Sequence, residues 1–559
     1  MKRSICLIFL FVILSPVTIL AQDTCRWAWS GGGSSVDAFS YIKHDNWGNI
    51  YAFGTWSSQN ISIAGSNYTS LGAEEDLLVK FDSLGNILWS AAILGNNTSD
   101  ARGLQVDKWG NIYVCGSFSD YVTIAGHTLV DHNPLNGDYD IYVAKFDSSG
   151  SLIWAKNYGA SQQSGVYAMR LAQNEKSVYL TGYFSSTWTY NGLSISPISS
   201  SFDVLIAQID SSGNVINLKS FGGKGQDIGL DLDLDSRGYI YLAGTHTDSI
   251  NVSGFNSLPD YASFVLVLDS SLNIKHAKNI CDPTTLSLNG GILKPVHLIV
   301  DNDSNIYIST YYFDSATVNS ITYHSSGSYD GLILKINTAG QLLWAKQLNG
   351  PSADIPHGLC LDKHNQLFLT GYFSGSWIID SVSLVSNGGN DIYLIKLDSL
   401  GKVVKGLSFG GLQNDEGMEL DIDSAQNIFI CGDISSLVDF GNNKICNSNG
   451  SKDFLVMKIS QPGQVDTTST TKTAFPQNQN IDISIFPVPV KLSNEVLVVS
   501  NEFISNIEAF DLNGKKIIFL NKYSQTGNKF NLSFSKPGNY MLKIIFYNGI
   551  TLSKMILVE

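Results

Sequence analysis

Charge is scarce in this 559-residue chain: Asp, Glu, Lys and Arg make up 15% of it, and 49 acidic residues outnumber 35 basic ones for a net charge of −14. A chain this acidic has no basic stripe for nucleic acid or an anionic bilayer, so neither is expected as a partner. Proline (13) and cysteine (7) are also few. The six cysteines beyond the first 21 residues, Cys25, Cys115, Cys281, Cys360, Cys431 and Cys446, are spaced too widely and irregularly for a disulfide framework or a CxxC metal site. No window sustains a 3.6-residue apolar period, so almost no helix is expected. The nine histidines form no HxH or HExxH pattern, and G-x-S-x-G and phosphate loops are missing. No catalytic residue, metal ligand or cofactor site is therefore expected.

Long apolar runs are missing too, except at the start. MKRSICLIFLFVILSPVTILAQ has Lys2 and Arg3, an apolar run from Ile5 to Leu14, and a small-residue end at Ala21. This is the pattern of a cleaved signal peptide, residues 1–21. The run falls short of the ~20 residues that span a bilayer, and Pro16 breaks it. The mature chain is expected to be exported, secreted or held at the outer-membrane surface, with no integral membrane segment.

Glycine (51), tyrosine (25) and phenylalanine (27) are abundant, which suits short strands joined by tight turns. They fall in a repeat. DNWGNIYAFG from Asp45 returns as DKWGNIYVCG (Asp107), NEKSVYLTG (Asn174), DSRGYIYLAG (Asp235), DNDSNIYIST (Asp301), DKHNQLFLTG (Asp362) and DSAQNIFICG (Asp423). The aligned aromatics Tyr51, Tyr113, Tyr179, Tyr241, Tyr307, Phe368 and Phe429 are 61 to 66 residues apart. A second element follows each, as in DLLVKFDSLGNILW from Asp76 or DIYVAKFDSSGSLIW from Asp140. Alternating apolar residues around Asp-Ser-x-Gly read as two antiparallel strands and a turn, in which Asp caps local backbone and Gly accepts a positive φ. With a strand before each Asp turn, the unit has at least four strands. Segments such as VTIAGHTLV, WIIDSVSLV and VDFGNNKIC add a hairpin between the second and third.

Seven four-stranded units predict a β-propeller, whose radial closure removes exposed sheet edges. The seventh repeat ends at Ser460 without its fourth strand, whereas CRWAWSGGG at Cys25 to Gly33 matches the fourth strands of other repeats. Arg26 to Ser30, carrying Trp27 and Trp29, are expected to complete the seventh blade. The expected fold class is all-β: a seven-bladed propeller over residues 22–460 closed by an N-terminal strand, a polar linker at 461–480, and a small β-sandwich module at 481–559.

The repeat resembles the SBBP β-propeller repeats of exported bacterial proteins, over about residues 34 to 460. That resemblance implies a propeller with a binding or scaffolding role and brings no catalytic residues. The terminal module resembles the C-terminal sorting domain of the type IX (Por) secretion system of Bacteroidetes. The matching positions are Pro487 and Pro489, then Asp511, Asn513 and Gly514, then Gly538, Tyr540 and Lys543. Val488 and Glu559 depart from the usual pattern. This resemblance implies the type IX secretion machinery as a partner and delivery to the cell surface or medium.

Other candidate chemistry is thin. Asp-Ser-x-Gly followed by Trp (Asp82 to Trp89) does not have the spacing of a sialidase Asp-box, and Arg26, Arg102, Arg170 and Arg237 lie on different repeats with no obvious convergence. Asp231, Asp233 and Asp235, Asp301 and Asp303, and Asp421 and Asp423 suit turn caps or a solvated strand face better than a calcium loop. Trp56, Trp188 and Trp377 are candidate stacking residues, with packing between blades as the alternative. The function expected is a non-catalytic binding or scaffold propeller for a protein or glycan. The alternative is a glycan-active hydrolase or lyase whose site is assembled across blades.

Overall fold

The computed structural model describes residues 24–461 apart from 135–136, 200, 249, 251–261, 281–293 and 442–443. Of the terminal module it describes 483–486, 496–500, 504–511, 516–517, 521–526, 529–533, 536–546 and 551–558. The expected signal peptide, residues 1–21, and the expected linker beyond Gln461 lie outside the described residues. Every regular element described is a strand.

Seven antiparallel four-stranded units follow one another round a ring. Their innermost strands are Asp37–His44, Ser99–Val106, Ser164–Leu171, Asp227–Leu234, Lys294–Val300, Ile355–Leu361 and Glu416–Ile422, numbered here as blades 1 to 7. Each packs beside the next, and the seventh beside the first. The second and third strands of a blade are covered on both faces by neighbouring blades. Glu75–Phe81 and Asp140–Phe146, for example, are buried along their whole length. This is why they read as near-continuous apolar runs rather than strict alternation.

The core is likewise divided by blade junctions, each with its own buried cluster, including one between blades 7 and 1 that joins Phe39, Ala52 and Val79 to Phe429, Phe454 and Val456. The ring is therefore closed by a core of the same kind at every junction. The N-terminal strand Thr24–Gly31 pairs antiparallel with Asp453–Ser460 and forms the outermost strand of blade 7, with Trp27 opposite Lys458 and Trp29 opposite Val456.

The Asp-Ser-x-Gly turns act between blades. Trp27 donates its indole N–H to the Ser83 carbonyl (3.1 Å), and Trp89, Trp154 and Trp344 do the same to Ser148, Ser211 and Ser399 of the following blade. Each of Trp27, Trp89 and Trp344 lies over the turn glycine of that blade, Gly85, Gly150 or Gly401, at φ of +86°, +85° and +79°. A Cβ on Gly85 would stand 2.6 Å from the Trp27 ring. The motif is thus an inter-blade latch. Inserted hairpins lie between the second and third strands, such as Tyr121–Ile124 with His127–Val130, which also pairs with the outer strand of blade 1 and covers its edge.

The terminal module contains two four-stranded antiparallel sheets. Asp511 ends the strand Ile504–Asp511 and pairs with Tyr540 on Gly538–Phe546, which also carries Gly538 and Lys543. The buried Tyr540 hydroxyl donates to the Lys536 carbonyl (2.9 Å). Pro487, Pro489, Asn513 and Gly514 lie outside the described residues.

Candidate functional site at the channel mouth

Counted back from the Asp that opens the first turn (Ala172 in blade 3), the inner strands are alike at one position and unlike at others. Three residues before the turn stand Ile42, Leu104, Met169, Leu232, Leu298, Leu359 and Leu420, all 2% exposed or less. Four residues before it stand Tyr41, Gly103, Ala168, Asp231, His297, Gly358 and Glu419; two before it stand Lys43, Gln105, Arg170, Asp233, Ile299, Cys360 and Asp421. Packing demands the same apolar side chain in every blade, whereas the lumen sets no common requirement.

All seven inner strands carry a bulge just upstream, seen as register shifts at Phe39/Tyr41, Ala101/Gly103, Val166/Ala168, Gly229/Asp231, Pro295/His297, Pro356/Leu359 and Gly417/Glu419. The extra residue leaves the ladder and turns a side chain away from the sheet. Five residues before the turn, these extra residues are Ser40, Arg102, Tyr167, Leu230, Val296, His357 and Met418, and all seven line one cavity of about 310 Å³. Tyr41, Asp100, His297, Tyr311 and Glu419 complete its wall. A second cavity of about 280 Å³ shares Asp100, Arg102 and Tyr167 and runs outward over blades 2 and 3 past Glu74, Tyr139 and Tyr183.

Deeper in the channel, polar and charged groups from several blades meet. Lys43 Nζ lies 2.7 Å from Glu419 Oε1, His297 Nε2 lies 3.9 Å from the same oxygen, and Arg170 lies 3.3 Å from His297 Nε2 and 3.2 Å from Asp231. Blades 3, 5 and 7 are not neighbours, so the Arg170–His297 and His297–Glu419 contacts cross the axis below the cavity. The carboxylates also accept the free N–H groups of the next inner strand: Glu419 from Ile42, Asp421 from His44, Asp231 from Leu298 and Asp233 from Val300, at 2.7 to 3.0 Å. An inner strand has a free edge, and these side chains satisfy it. Asp231, Asp233 and Asp421 are therefore lumen groups, not the turn caps or solvated face expected from their alternation with apolar residues. Asp235, Asp301 and Asp423 do cap turns.

Burial disfavours the charged forms here, and neighbours decide the outcome. Burial works against Lys43, yet Glu419 and Asp421 raise it overall. Asp421 falls well below the usual range because His44 and Lys43 outweigh its burial. Burial lifts Asp231 to about 6 despite Arg170. His297 is held well below its ordinary value by burial and then by Arg170 and Lys43, and His357 is lowered to about 4, mainly by burial. Both imidazoles are neutral at pH 7. Arg170 can only donate, so His297 Nε2 accepts and its proton sits on Nδ1. His297 Nδ1 and His357 Nε2 are buried and have no protein partner.

Other expectations need correction. Trp56, Trp188 and Trp377 are 0%, 1% and 1% exposed and belong to the inter-blade cores, because the inserted hairpins fold over them; they cannot stack on a ligand. Two of the arginines thought not to converge, Arg102 and Arg170, both face the lumen from adjacent blades. Arg102 is ion-paired to Asp100 and lies over the Tyr167 ring, 4.9 Å from its centroid. Among the described residues no group of three or more His, Cys, Asp or Glu side chains is placed to hold a metal ion.

Seven blades closed by the N-terminal strand define a seven-bladed β-propeller protein. No family model matches the chain. It is 22% identical over 374 residues to the uncharacterized WD repeat-containing protein L264 of Acanthamoeba polyphaga mimivirus, covering 55% of this chain and 27% of that protein. It is 27% identical over 154 residues to the regulatory protein FlaEY of Caulobacter vibrioides, covering 27% and 16%. The chain thus spans well under half the length of either relative. Similar solved structures include the Pan2 WD40 domain of Neurospora crassa (TM-score 0.40, 12% identity, 79% of this chain and 97% of that one). Another is the periplasmic gluconolactonase of Pseudomonas aeruginosa (TM-score 0.36, 13% identity, 69% and 95%).

Proposed function

We propose that the protein is an exported, non-catalytic binding propeller of the SBBP type, and that its ligand enters the mouth of the central channel. One observation carries this reading: the ring of bulge residues lines a cavity and differs from blade to blade, while the packing position two residues on is uniform. A rigid scaffold with one divergent, cavity-lining position per repeat is how a repeat protein holds a specific ligand.

Binding is favoured over catalysis by the state of the deep carboxylates. Glu419, Asp421, Asp231 and Asp233 accept backbone N–H groups and each lies beside Lys43, His44 or Arg170, so they serve to satisfy the inner strands' free edges and to neutralise the lumen cations. Immobilised glycan and protein arrays, with turnover assays on every hit, test the reading. Binding without product, lost when Ser40→Trp fills the mouth, is expected; product formation would replace this reading with a hydrolase or lyase. Delivery belongs to the terminal module as a type IX sorting signal. Truncation before Gln461 should strand the propeller in the periplasm, and normal surface delivery would refute sorting.

A further inference from the structure

We infer that the ligand of this mouth is a neutral sugar, docked as the end of a glycan of two or more units; the inference rests on the lumen being the binding site. Charge is the first argument. Arg102 is neutralised by Asp100, Glu419 by Lys43, and His297 and His357 are uncharged. The mouth therefore offers no unpaired charge, and an ionic ligand would lose hydration without a counter-charge to replace it.

Polarity is the second. The bulge ring is two-sided: Ser40, Arg102 and Tyr167 come from the consecutive blades 1 to 3, while Leu230, Val296 and Met418 come from blades 4, 5 and 7, with the neutral His357 of blade 6 among them. A pyranose has the same division, with C–H faces that pack on apolar and aromatic surface and hydroxyls at its edge. His297 and His357 also line the cavity as neutral polar rings, although their unpartnered Nδ1 and Nε2 atoms are themselves shielded from it. The half-buried rings of Tyr41, Tyr167 and Tyr311 supply stacking surface.

Shape is the third. The Arg170–His297 and His297–Glu419 contacts cross the axis below the cavity, which favours entry of a chain end over threading of a chain through the ring. The second cavity continues from the shared Arg102–Asp100–Tyr167 wall between Tyr139 and Tyr183, which gives a following unit aromatic walls of its own.

The test is saturation-transfer NMR on the full mature chain with methyl β-D-glucoside, methyl α-D-mannoside, N-acetyl-D-glucosamine and cellobiose as probes, and D-glucuronate as the charged control. The expected result is transfer to at least one neutral probe but not to glucuronate, with cellobiose the tighter of the two glucose probes where glucose is the recognised unit. Transfer should vanish in Ser40→Trp. Tyr167→Ala should weaken binding by about tenfold, or ~1.4 kcal/mol, with an unchanged melting temperature showing that the ring is intact. Transfer that persists in Ser40→Trp, or that favours glucuronate, overturns the inference. If no neutral probe binds while an array ligand is lost in Ser40→Trp, the sugar class falls and the lumen reading stands. If Ser40→Trp changes no binding of any kind, both fall.

Discussion

Trp27→Ala separates a sealed ring from an open array. Trp27 stacks on Phe81 (6.2 Å between ring centroids), donates to the Ser83 carbonyl and covers Gly85, all in blade 1, although it belongs to the last strand of blade 7. Truncating a fully buried Trp costs about 3–5 kcal/mol. Trp27 is half-buried, so about half of that applies, and the hydrogen bond adds ~1 kcal/mol, for roughly 3 kcal/mol in total. Unfolding entropy near 2.1 cal/mol/K per residue converts this, for a propeller of this size, into a fall of about 3 °C. Trp154→Ala is the internal control, since it removes the same indole-to-carbonyl bond between blades 2 and 3, without the contact over a turn glycine. Calorimetry should show both variants melting in one transition with similar falls. If Trp154→Ala lowers the transition and Trp27→Ala does not, the N-terminal strand does not seal the ring.

Removing residues 23–33 deletes the whole closing strand and should give aggregation or a lost cooperative transition, read by calorimetry; a wild-type melt would refute closure. Gly150→Ala places a Cβ 2.8 Å from the Trp89 ring at a positive φ and should cost about 1–3 kcal/mol, read by urea denaturation. Glu419→Leu leaves Lys43 beside Arg170 without its carboxylate and should cost about 3–5 kcal/mol, with Lys43→Met restoring part of it in the double variant. Stability should fall between pH 5.5 and 8. Burial raises Asp227, Asp354 and Asp433 to about 7 and Asp203 and Asp391 to about 6, so the folded chain holds protons that the unfolded chain has released. Their contribution is complete below the ordinary carboxyl range and lost as pH rises through 6 to 7. The lowered His297 and His357 act in the opposite sense but are fewer. A melting temperature that is flat or rises across this window would contradict the assignment.

The architecture was legible because its cause is repeated. Seven turns at near-constant spacing, six of them opened by Asp, and a missing fourth strand, supplied at Cys25 to Gly33, expose blade number and closure without any tertiary information. The lumen was not, because period-two reading treats Asp231, Asp233 and Asp421 as a wet face, and only the ring's curvature turns that face inward. The bulges left a faint signal: Phe39 and Ile42, Ala101 and Leu104, and Val166 and Met169 are core pairs three residues apart, which a regular strand cannot place on one face. For Trp56, Trp188 and Trp377 stacking and inter-blade packing were both open in the sequence, since a terminal-strand Trp is exposed only if no hairpin folds over it.

The most direct test is a crystal structure of the mature protein soaked with cellobiose. One ring of the disaccharide should be ordered between Tyr41, Tyr167 and His357, with the second ring running toward Tyr139 and Tyr183. A sugar ordered only outside the channel, or a mouth into which no sugar enters while one binds elsewhere on the protein, would contradict the account.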